Sequence, residues 1–203
     1  MIDVEDEGAL RIITLDRPDK ANALTREMLA ALADTVERAA ADPAVKVVVL
    51  TGRGKVFSAG ADLDEARAGL ATDGVWERLS GAIADSPILT IAALNGTAAG
   101  GALGMVLACD LRIAVPGAKI FYPVMKLGFL PQPSDPGRLA ALVGPARAKL
   151  ILMGGARIEA PEALAIGLVD RLAEDPVAEA RALAADAMGA DRSHVEAIKE
   201  MLS

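Results

Sequence analysis

The stretch NGTAAGGALGMVLACD, residues 95–110, runs from a turn into an apolar segment with helical character. Gly100 and Gly101 are adjacent where that helix should begin, and Gly104 lies in its first turn. Glycine inside a helix costs up to about 1 kcal/mol relative to alanine. The first N–H groups of a helix lack partners and carry partial positive charge, so they can stabilise an anionic oxygen. The alternative is that these glycines only allow a helix and a strand to pack closely.

Few side chains are placed for acid–base chemistry. Asp135 lies in the proline-rich loop GFLPQPSDPGR, where it could hold a proton. The same segment also fits Asp135 as the N-cap of a helix that has Pro136 in its first turn. Asp64 and Glu65 could border a pocket or begin a solvated helix, and Tyr122 could donate a hydrogen bond or pack.

Other reaction classes find little support. His194 is the only histidine and lies in a polar tail, so a serine–histidine–acid triad is not expected. One cysteine and one histidine far apart in sequence do not suggest a metal site. GTAAGG is only loosely similar to a dinucleotide fingerprint, since no acidic residue follows the next strand at the required distance.

The elements that must position these residues can be read from the apolar pattern. Strands are expected at 10–15, 45–50 and 56–58, and another within SPILTIAALNG. Asn22 or Thr25 can cap the helix between the first two. DLRIAVPGAKIFYP predicts two more strand pieces, residues 144–172 predict helix, turn, helix and strand, and residues 176–203 are helical with a break near Gly189. The order strand, strand, helix favours coiled ββα turns in an α/β fold.

Composition bounds the remaining possibilities. A chain of 203 residues fits one domain, and its core must be aliphatic because 53% of residues are hydrophobic but only 2% aromatic. The net charge of −7, without a basic cluster, argues against nucleic acid and anionic membranes as partners. The single Cys109, the acidic N-terminus and the lack of an apolar span predict a cytoplasmic protein.

Four stretches, in order and in register, resemble the crotonase or enoyl-CoA hydratase/isomerase superfamily. They are LDRPDKANAL, VVVLTGRGKVFSAGADLDE, NGTAAGGALGMVLACDLRIA and GPARAKLILMGGARIEAPEALAIGLVDRL. The resemblance implies a crotonase/ClpP-like spiral of ββα turns over residues 1–175, followed by a shortened helical segment over 176–203. It also implies a homotrimer or a dimer of trimers.

The resemblance further implies an acyl-CoA thioester as substrate, with coenzyme A arriving as part of that substrate and no separate cofactor. In this family two backbone N–H groups hold the thioester oxygen, and they correspond here to Ala61 and Gly101. Contacts to coenzyme A fall mostly on the backbone of the first two stretches, at Lys20, Ala21, Ala23, Ala59, Asp62 and Leu63. Lys20 could face a phosphate or be a solvated turn lysine.

Hydratases of this family use two glutamates, and the corresponding positions here are Gly104 and Val124. Neither residue can carry a proton, and a positioned acid or base contributes about 10²–10⁴-fold. Asp135 is the candidate replacement. If nothing replaces the glutamates, the protein is expected to be a non-catalytic acyl-CoA binder or a structural partner of an active relative.

Overall fold

The computed structural model describes residues 1–202. Over that range its strands are β1 (Ile2–Glu7), β2 (Leu10–Leu15), β3 (Val47–Gly52), β4 (Val56–Ser58), β5 (Leu89–Leu94), β6 (Thr97–Ala99), β7 (Leu111–Ala114), β8 (Lys119–Phe121), β9 (Ile158–Glu159) and β10 (Arg171–Leu172). Its α-helices are α1 (Arg26–Ala41), α2 (Leu63–Arg67), α3 (Val75–Ala84), α4 (Leu103–Ala108), α5 (Val124–Leu127), α6 (Asp135–Val143), α7 (Pro145–Leu152), α8 (Ala160–Ala165), α9 (Pro176–Leu183), α10 (Ala185–Gly189) and α11 (Arg192–Glu200). None of these helices, within residues 1–202, has both the length and the apolar composition needed to cross a membrane.

Successive pairs of strands divide between two sheets. Over the described residues the large sheet has the order β1-β2-β3-β5-β7-β10, and the small sheet has the order β4-β6-β8-β9. The pairs β3–β4, β5–β6 and β7–β8 therefore each place their first strand in the large sheet and their second in the small one. Pairing is parallel from β2 through β10 in the large sheet and from β4 through β8 in the small one. This arrangement confirms the predicted α/β spiral of ββα turns.

The beginning of α1 resolves the choice of cap. The Thr25 hydroxyl accepts a hydrogen bond from the Met28 amide at 3.2 Å, so Thr25 is the N-cap. Asn22 is instead fully buried, and its side-chain amide donates to the carbonyls of Arg53 and Val56 at 3.0 and 2.7 Å. Asn22 therefore ties the loop after β2 to the segment around β4.

The large sheet is buried on both faces. In β3, Val48 and Leu50 face the main core, which contains α1, α3 and α4, while Val47 and Val49 face the opposite side. That second side is covered by α9, whose Ala180 joins the same apolar cluster. Residues from both faces of β3 are buried, which explains why the strand is apolar at successive positions rather than alternating.

The helical segment that begins at residue 176 is fastened to the sheet by charged groups. The Arg192 guanidinium donates to the backbone carbonyls of Ala40, Asp42 and Val45, at the end of α1 and the turn beyond it. The Lys199 ammonium lies 2.7 Å from an Asp110 carboxylate oxygen. These contacts hold the last helix against the edge of the core.

Candidate active site

Two loops approach each other closely at the C-terminal ends of β4 and β6. Gly60 follows β4 with φ +94°, a conformation that L side chains rarely adopt. A Cβ atom at Gly60 would lie 2.8 Å from the Ala99 carbonyl oxygen and 3.4 Å from the Gly101 nitrogen. Only glycine therefore lets the backbone beside Ala61 approach the backbone at Gly101.

The amide of Ala61 faces away from its neighbouring strand segment. The Leu24 amide donates to the Gly60 carbonyl at 2.8 Å, and the Asp62 amide donates to the Leu24 carbonyl at 2.8 Å. These bonds flank Ala61 in a parallel bridge between Leu24 and Ala61. Because successive peptide groups of an extended chain point to opposite sides, the Ala61 N–H points away from Leu24.

Ala61 and Gly101 both line one cavity of about 390 Å³. Gly101 belongs to a 3₁₀ turn, Gly100–Ala102, that leads directly into α4. Its N–H is among the first of that helical segment, where backbone donors lack partners within the helix. Ala61 and Gly101 thus line the same cavity, one on each of the two loops that approach each other at Gly60.

The cavity wall is largely apolar and combines alanine and glycine with larger aliphatic and aromatic side chains. Its polar lining groups, within residues 1–202, are those of Trp76, Thr97, Tyr122 and Gln132, and no lining side chain there is charged. At its mouth Leu130 is 87% exposed and Leu63 is 68% exposed. The small residues that line it are Ala21, Ala59, Ala61, Ala66, Ala71, Ala99, Gly100 and Gly101.

Trp76 forms the wall next to Gly101, a role that the sequence did not reveal. A Cβ atom at Gly101 would lie 3.0 Å from the Trp76 ring. The indole N–H donates to the Leu70 carbonyl at 2.8 Å, so the ring is fixed and buried. The only available signal was that this is the single tryptophan of the chain.

Asp135 is fully buried behind the cavity rather than on its surface. It is the first residue of α6, and its carboxylate makes no cap hydrogen bond to that helix, so the N-cap alternative is wrong. Its Oδ2 accepts a hydrogen bond from the Tyr122 hydroxyl at 2.8 Å, whereas Oδ1 has no hydrogen-bond partner among the described residues. Burial raises the pKa of Asp135 from 3.8 to about 6.

The Asp135 carboxylate lies against Gly104 of α4. A Cβ atom at Gly104 would be 3.1 Å from Asp135 Oδ1 and 3.5 Å from Oδ2. The space beside α4 that a side chain at position 104 would enter is therefore taken by a carboxylate from α6. Val124, the other position that carries no acid, is buried and lines the cavity.

Tyr122 stands between the cavity and Asp135. It lines the cavity, and its hydroxyl also accepts a hydrogen bond from the Gln132 amide at 3.4 Å. The Gln132 side-chain amide in turn donates to the Ala71 carbonyl at 3.0 Å. Burial, together with the neighbouring Asp135 carboxylate, raises the pKa of Tyr122 far above its ordinary value, so the phenol stays neutral at ordinary pH.

The six residues implied as contacts to coenzyme A do not share one environment. Ala21, Ala59 and Leu63 line the cavity, and the Ala59 amide donates to the Ala21 carbonyl at 3.0 Å. Lys20 is exposed at the end of a 3₁₀ turn beside them. These four positions cluster at one side of the cavity.

The other two, Ala23 and Asp62, are held by Arg17. One guanidinium nitrogen donates to the Ala23 carbonyl at 3.0 Å and to the Asp62 carboxylate at 2.8 Å. Asp62 also caps α2 through the amides of Asp64 and Glu65. The Arg17 hydrogen bond holds the pKa of Asp62 below its ordinary value. Arg17, which the sequence did not single out, therefore braces the loop that carries Ala61.

Asp64 and Glu65 begin α2 and do not line the cavity. Asp64 is exposed and pairs with Arg67 at 3.3 Å, while a Glu65 carboxylate oxygen accepts from the Arg26 amide at 2.7 Å. This arrangement favours the solvated helix start over a role at the pocket. A catalytic carboxylate at the cavity would have to come from elsewhere.

Proteins of known family match most of this chain in sequence. The family model described as enoyl-CoA hydratase/isomerase matches residues 5–203. The probable enoyl-CoA hydratase EchA14 of Mycobacterium tuberculosis is 41% identical over 194 residues, which cover 93% of this chain and 75% of the relative. The putative enoyl-CoA hydratase/isomerase YngF of Bacillus subtilis is 41% identical over 191 residues, with 89% and 73% covered.

Solved structures agree with the fold. A putative enoyl-CoA hydratase/isomerase family protein from Hyphomonas neptunium superposes with a TM-score of 0.91 at 34% identity, covering 99% of this chain and 80% of that one. The enoyl-CoA hydratase EchA8_6 of Mycobacterium marinum gives 0.90 at 33% identity, covering 99% and 98%. The fold is therefore the crotonase fold that the sequence predicted, and the chain belongs to the enoyl-CoA hydratase/isomerase family of enzymes.

Proposed function

We propose that this protein binds an acyl-CoA thioester and stabilises an enolate-like state of it with the amides of Ala61 and Gly101. The observation that carries the proposal is the close approach of the two backbone segments at Gly60, where a Cβ atom would lie 3.4 Å from the Gly101 nitrogen. The Ala61 amide beside it is turned away from Leu24. A fixed donor stabilises charge that develops in the transition state more than the neutral ground state. One such donor contributes about 2.7–4 kcal/mol.

The site must also move a proton at the carbon next to the thioester. We assign that proton to Asp135, since its carboxylate is the one that reaches the space beside Gly104. Its pKa of about 6 lies close to neutral pH, which suits a group that both takes and returns a proton. Gly104 and Val124 would then mark where relatives with two glutamates place their acids.

Contacts to coenzyme A are proposed for the cluster of Lys20, Ala21, Ala59 and Leu63. Ala21 and Ala59 line the cavity side by side, and exposed Lys20 offers a positive charge to phosphate. Ala23 and Asp62 support this cluster through Arg17. Coenzyme A would enter and leave as part of the substrate, so no separate cofactor is needed.

Two further properties belong to the proposal. A homotrimer or a dimer of trimers is supported by exposed apolar side chains on and after α11, with Ile198 48% exposed and Leu202 83% exposed. A cytoplasmic location is supported by Cys109, which is buried and is the single cysteine of the chain, so it has no intramolecular disulfide partner. The oligomeric state can be tested by light scattering of the purified protein, which measures the mass of the assembly.

The rival function is a non-catalytic acyl-CoA binder. It is favoured by the absence of a charged side chain on the cavity wall within residues 1–202. Three measurements separate the two functions. Calorimetry gives the affinity for butanoyl-CoA and but-2-enoyl-CoA. Turnover is then followed by the enoyl absorbance of but-2-enoyl-CoA and by exchange of the α-protons of butanoyl-CoA in D₂O. Binding with exchange or turnover supports the enzyme, binding alone supports the binder, and no binding supports a structural partner of an active relative.

The backbone donor can be removed specifically. Gly101→Pro lacks the N–H and should slow exchange by about 10²–10³-fold. Gly101→Ala is the matched control: it retains the N–H and places a Cβ 3.0 Å from the Trp76 ring, which must move slightly. A folded Gly101→Pro protein with wild-type affinity and rate would refute the assignment of Gly101.

A further inference from the structure

The position of Asp135 poses a problem for any direct reaction with substrate. The carboxylate is fully buried and does not line the cavity, whereas Tyr122 lines the cavity and donates its hydroxyl to Asp135 Oδ2 at 2.8 Å. A substrate in the cavity can therefore meet Tyr122 while Asp135 lies behind it. The phenol is the only group seen to bridge the carboxylate and the cavity within residues 1–202.

We propose that Tyr122 is the residue that exchanges the proton with the acyl-CoA substrate and that buried Asp135 stores that proton behind it. This inference rests on the proposed function and adds the residue that touches the substrate. It makes Tyr122 the catalytic residue, and Asp135 acts through it. Neither of the two glutamate positions is required.

The step balances without any co-reactant. The bond between the α-carbon and its hydrogen breaks, and its electron pair becomes the enolate, whose negative oxygen lies at the amides of Ala61 and Gly101. The proton forms a new O–H bond on Tyr122 as the original Tyr122 proton passes to Asp135 Oδ2. Asp135 becomes a neutral carboxylic acid, and the reverse transfers return a proton to carbon.

The surroundings of Asp135 suit a proton store. Burial raises the pKa of the carboxyl, the hydrogen bond from Tyr122 lowers it, Glu77 on α3 raises it, and Arg138 on α6 lowers it. Glu77 is itself engaged by the Ser134 amide and hydroxyl, at 3.2 and 2.5 Å. Asp135 Oδ1 has no hydrogen-bond partner in residues 1–202, so the carboxylate is not fixed in its charged form by a second donor.

The test measures exchange of the α-protons of butanoyl-CoA in D₂O by NMR, beside the calorimetric affinity for the same thioester. Tyr122→Phe removes only the hydroxyl and should slow exchange at least 100-fold while affinity changes less than threefold. Asp135→Asn should slow exchange to a similar extent, and the double variant should be no slower than either single variant because the two act as one unit. Asp85→Asn, an exposed carboxylate at the end of α3, is the matched control and should leave the rate unchanged.

A pH profile distinguishes a proton store from a structural partner. Wild-type exchange should rise with pH and level off above about 6, where the Asp135 carboxylate is ionised. The Asp135→Asn profile should lack that step. If exchange by Asp135→Asn still rose near pH 6, the role of Asp135 as the proton store would be overturned.

The outcomes separate this inference from the function on which it rests. Wild-type exchange in Tyr122→Phe, with loss only in Asp135→Asn, would mean that Asp135 reaches the substrate itself and would overturn the relay. Wild-type exchange in both, with loss in Gly101→Pro, would overturn the relay and leave the proposed function standing. A wild-type protein that binds no butanoyl-CoA, or binds it without exchange, would overturn both.

Discussion

The carboxylate of Asp135 fills the space that a side chain at Gly104 would occupy, with Oδ1 only 3.1 Å from the position of a Cβ atom there. The two residues belong to different helices, α6 and α4, and Gly104 is buried. Gly104 is therefore not merely tolerated in α4: its missing side chain makes room for the acid.

Gly104→Ala should disturb Asp135 and lower stability. The added Cβ would lie 3.1 Å from Asp135 Oδ1, so the buried carboxylate would have to shift, and overpacking of a core costs about 1–3 kcal/mol. We expect a lower urea midpoint and an α-proton exchange rate at least tenfold below wild type. Gly81→Ala, in the interior of α3 with nothing within 4 Å of its added Cβ, should be unchanged or more stable by up to about 1 kcal/mol. Equal stability and rate in Gly104→Ala and wild type would contradict the contact.

Asp135 should also make the free energy of unfolding depend on pH. Its pKa rises from 3.8 to about 6 on folding, so the folded protein binds this proton more tightly than the unfolded chain does. The contribution is present below about pH 4 and is lost as pH rises to about 6, a change of about 3 kcal/mol in all. We expect the free energy of unfolding of wild type minus that of Asp135→Asn, measured with urea, to decrease as the pH rises from 4 to 7. A difference that stays constant over this pH range would count against the raised pKa of Asp135.

Trp76 should report binding by its own fluorescence. It is the only tryptophan of the chain, it lines the cavity, and its ring touches the position of Gly101. Titration with butanoyl-CoA should change the emission of wild type in a saturable way, with a midpoint that matches the calorimetric Kd. Trp76→Phe should lose the signal. Binding seen by calorimetry with no change in Trp76 emission would place the thioester elsewhere.

Arg17→Met should weaken acyl-CoA binding without touching the cavity wall. It removes the hydrogen bonds that join Ala23 and Asp62 and so loosens the loop that carries Ala61. We expect at least a fivefold rise in Kd for butanoyl-CoA and a lower midpoint of thermal unfolding. Arg67→Met is the matched control, since its pair with Asp64 is exposed and such pairs contribute little. Equal Kd values for the two variants would show that the brace does not matter for binding.

Much of the fold could be predicted from apolar patterning, and the exceptions have a physical reason. β2 and β4 have the predicted bounds because their neighbours break sharply at turn residues. β1 escapes such patterning because IDVEDE is acidic and mostly exposed, and an edge strand that pairs on one side needs no apolar alternation. Its pairing with β2 is set by backbone hydrogen bonds that composition does not reveal.

The candidate site was only half predictable. Glycines at a helix start pointed to Gly101, and the family resemblance implied Ala61; the structure brings both residues to one cavity. The contacts of Asp135 with Gly104 and of Trp76 with Gly101 join elements distant in sequence. No local pattern encodes such contacts, since they depend on how α3 and α6 pack against α4.

An amide hydrogen is present at every position of a chain except proline, whereas a carboxyl group exists only where a codon specifies it. Replacing the side chain of Ala61 by most others would leave its N–H in place, so the proposed backbone donors are robust to mutational drift. An acid can instead be supplied from a different helix, as Asp135 of α6 lies against Gly104 of α4. A scaffold divided in this way could acquire a new reaction by relocating one side chain while the proposed backbone donors stay unchanged.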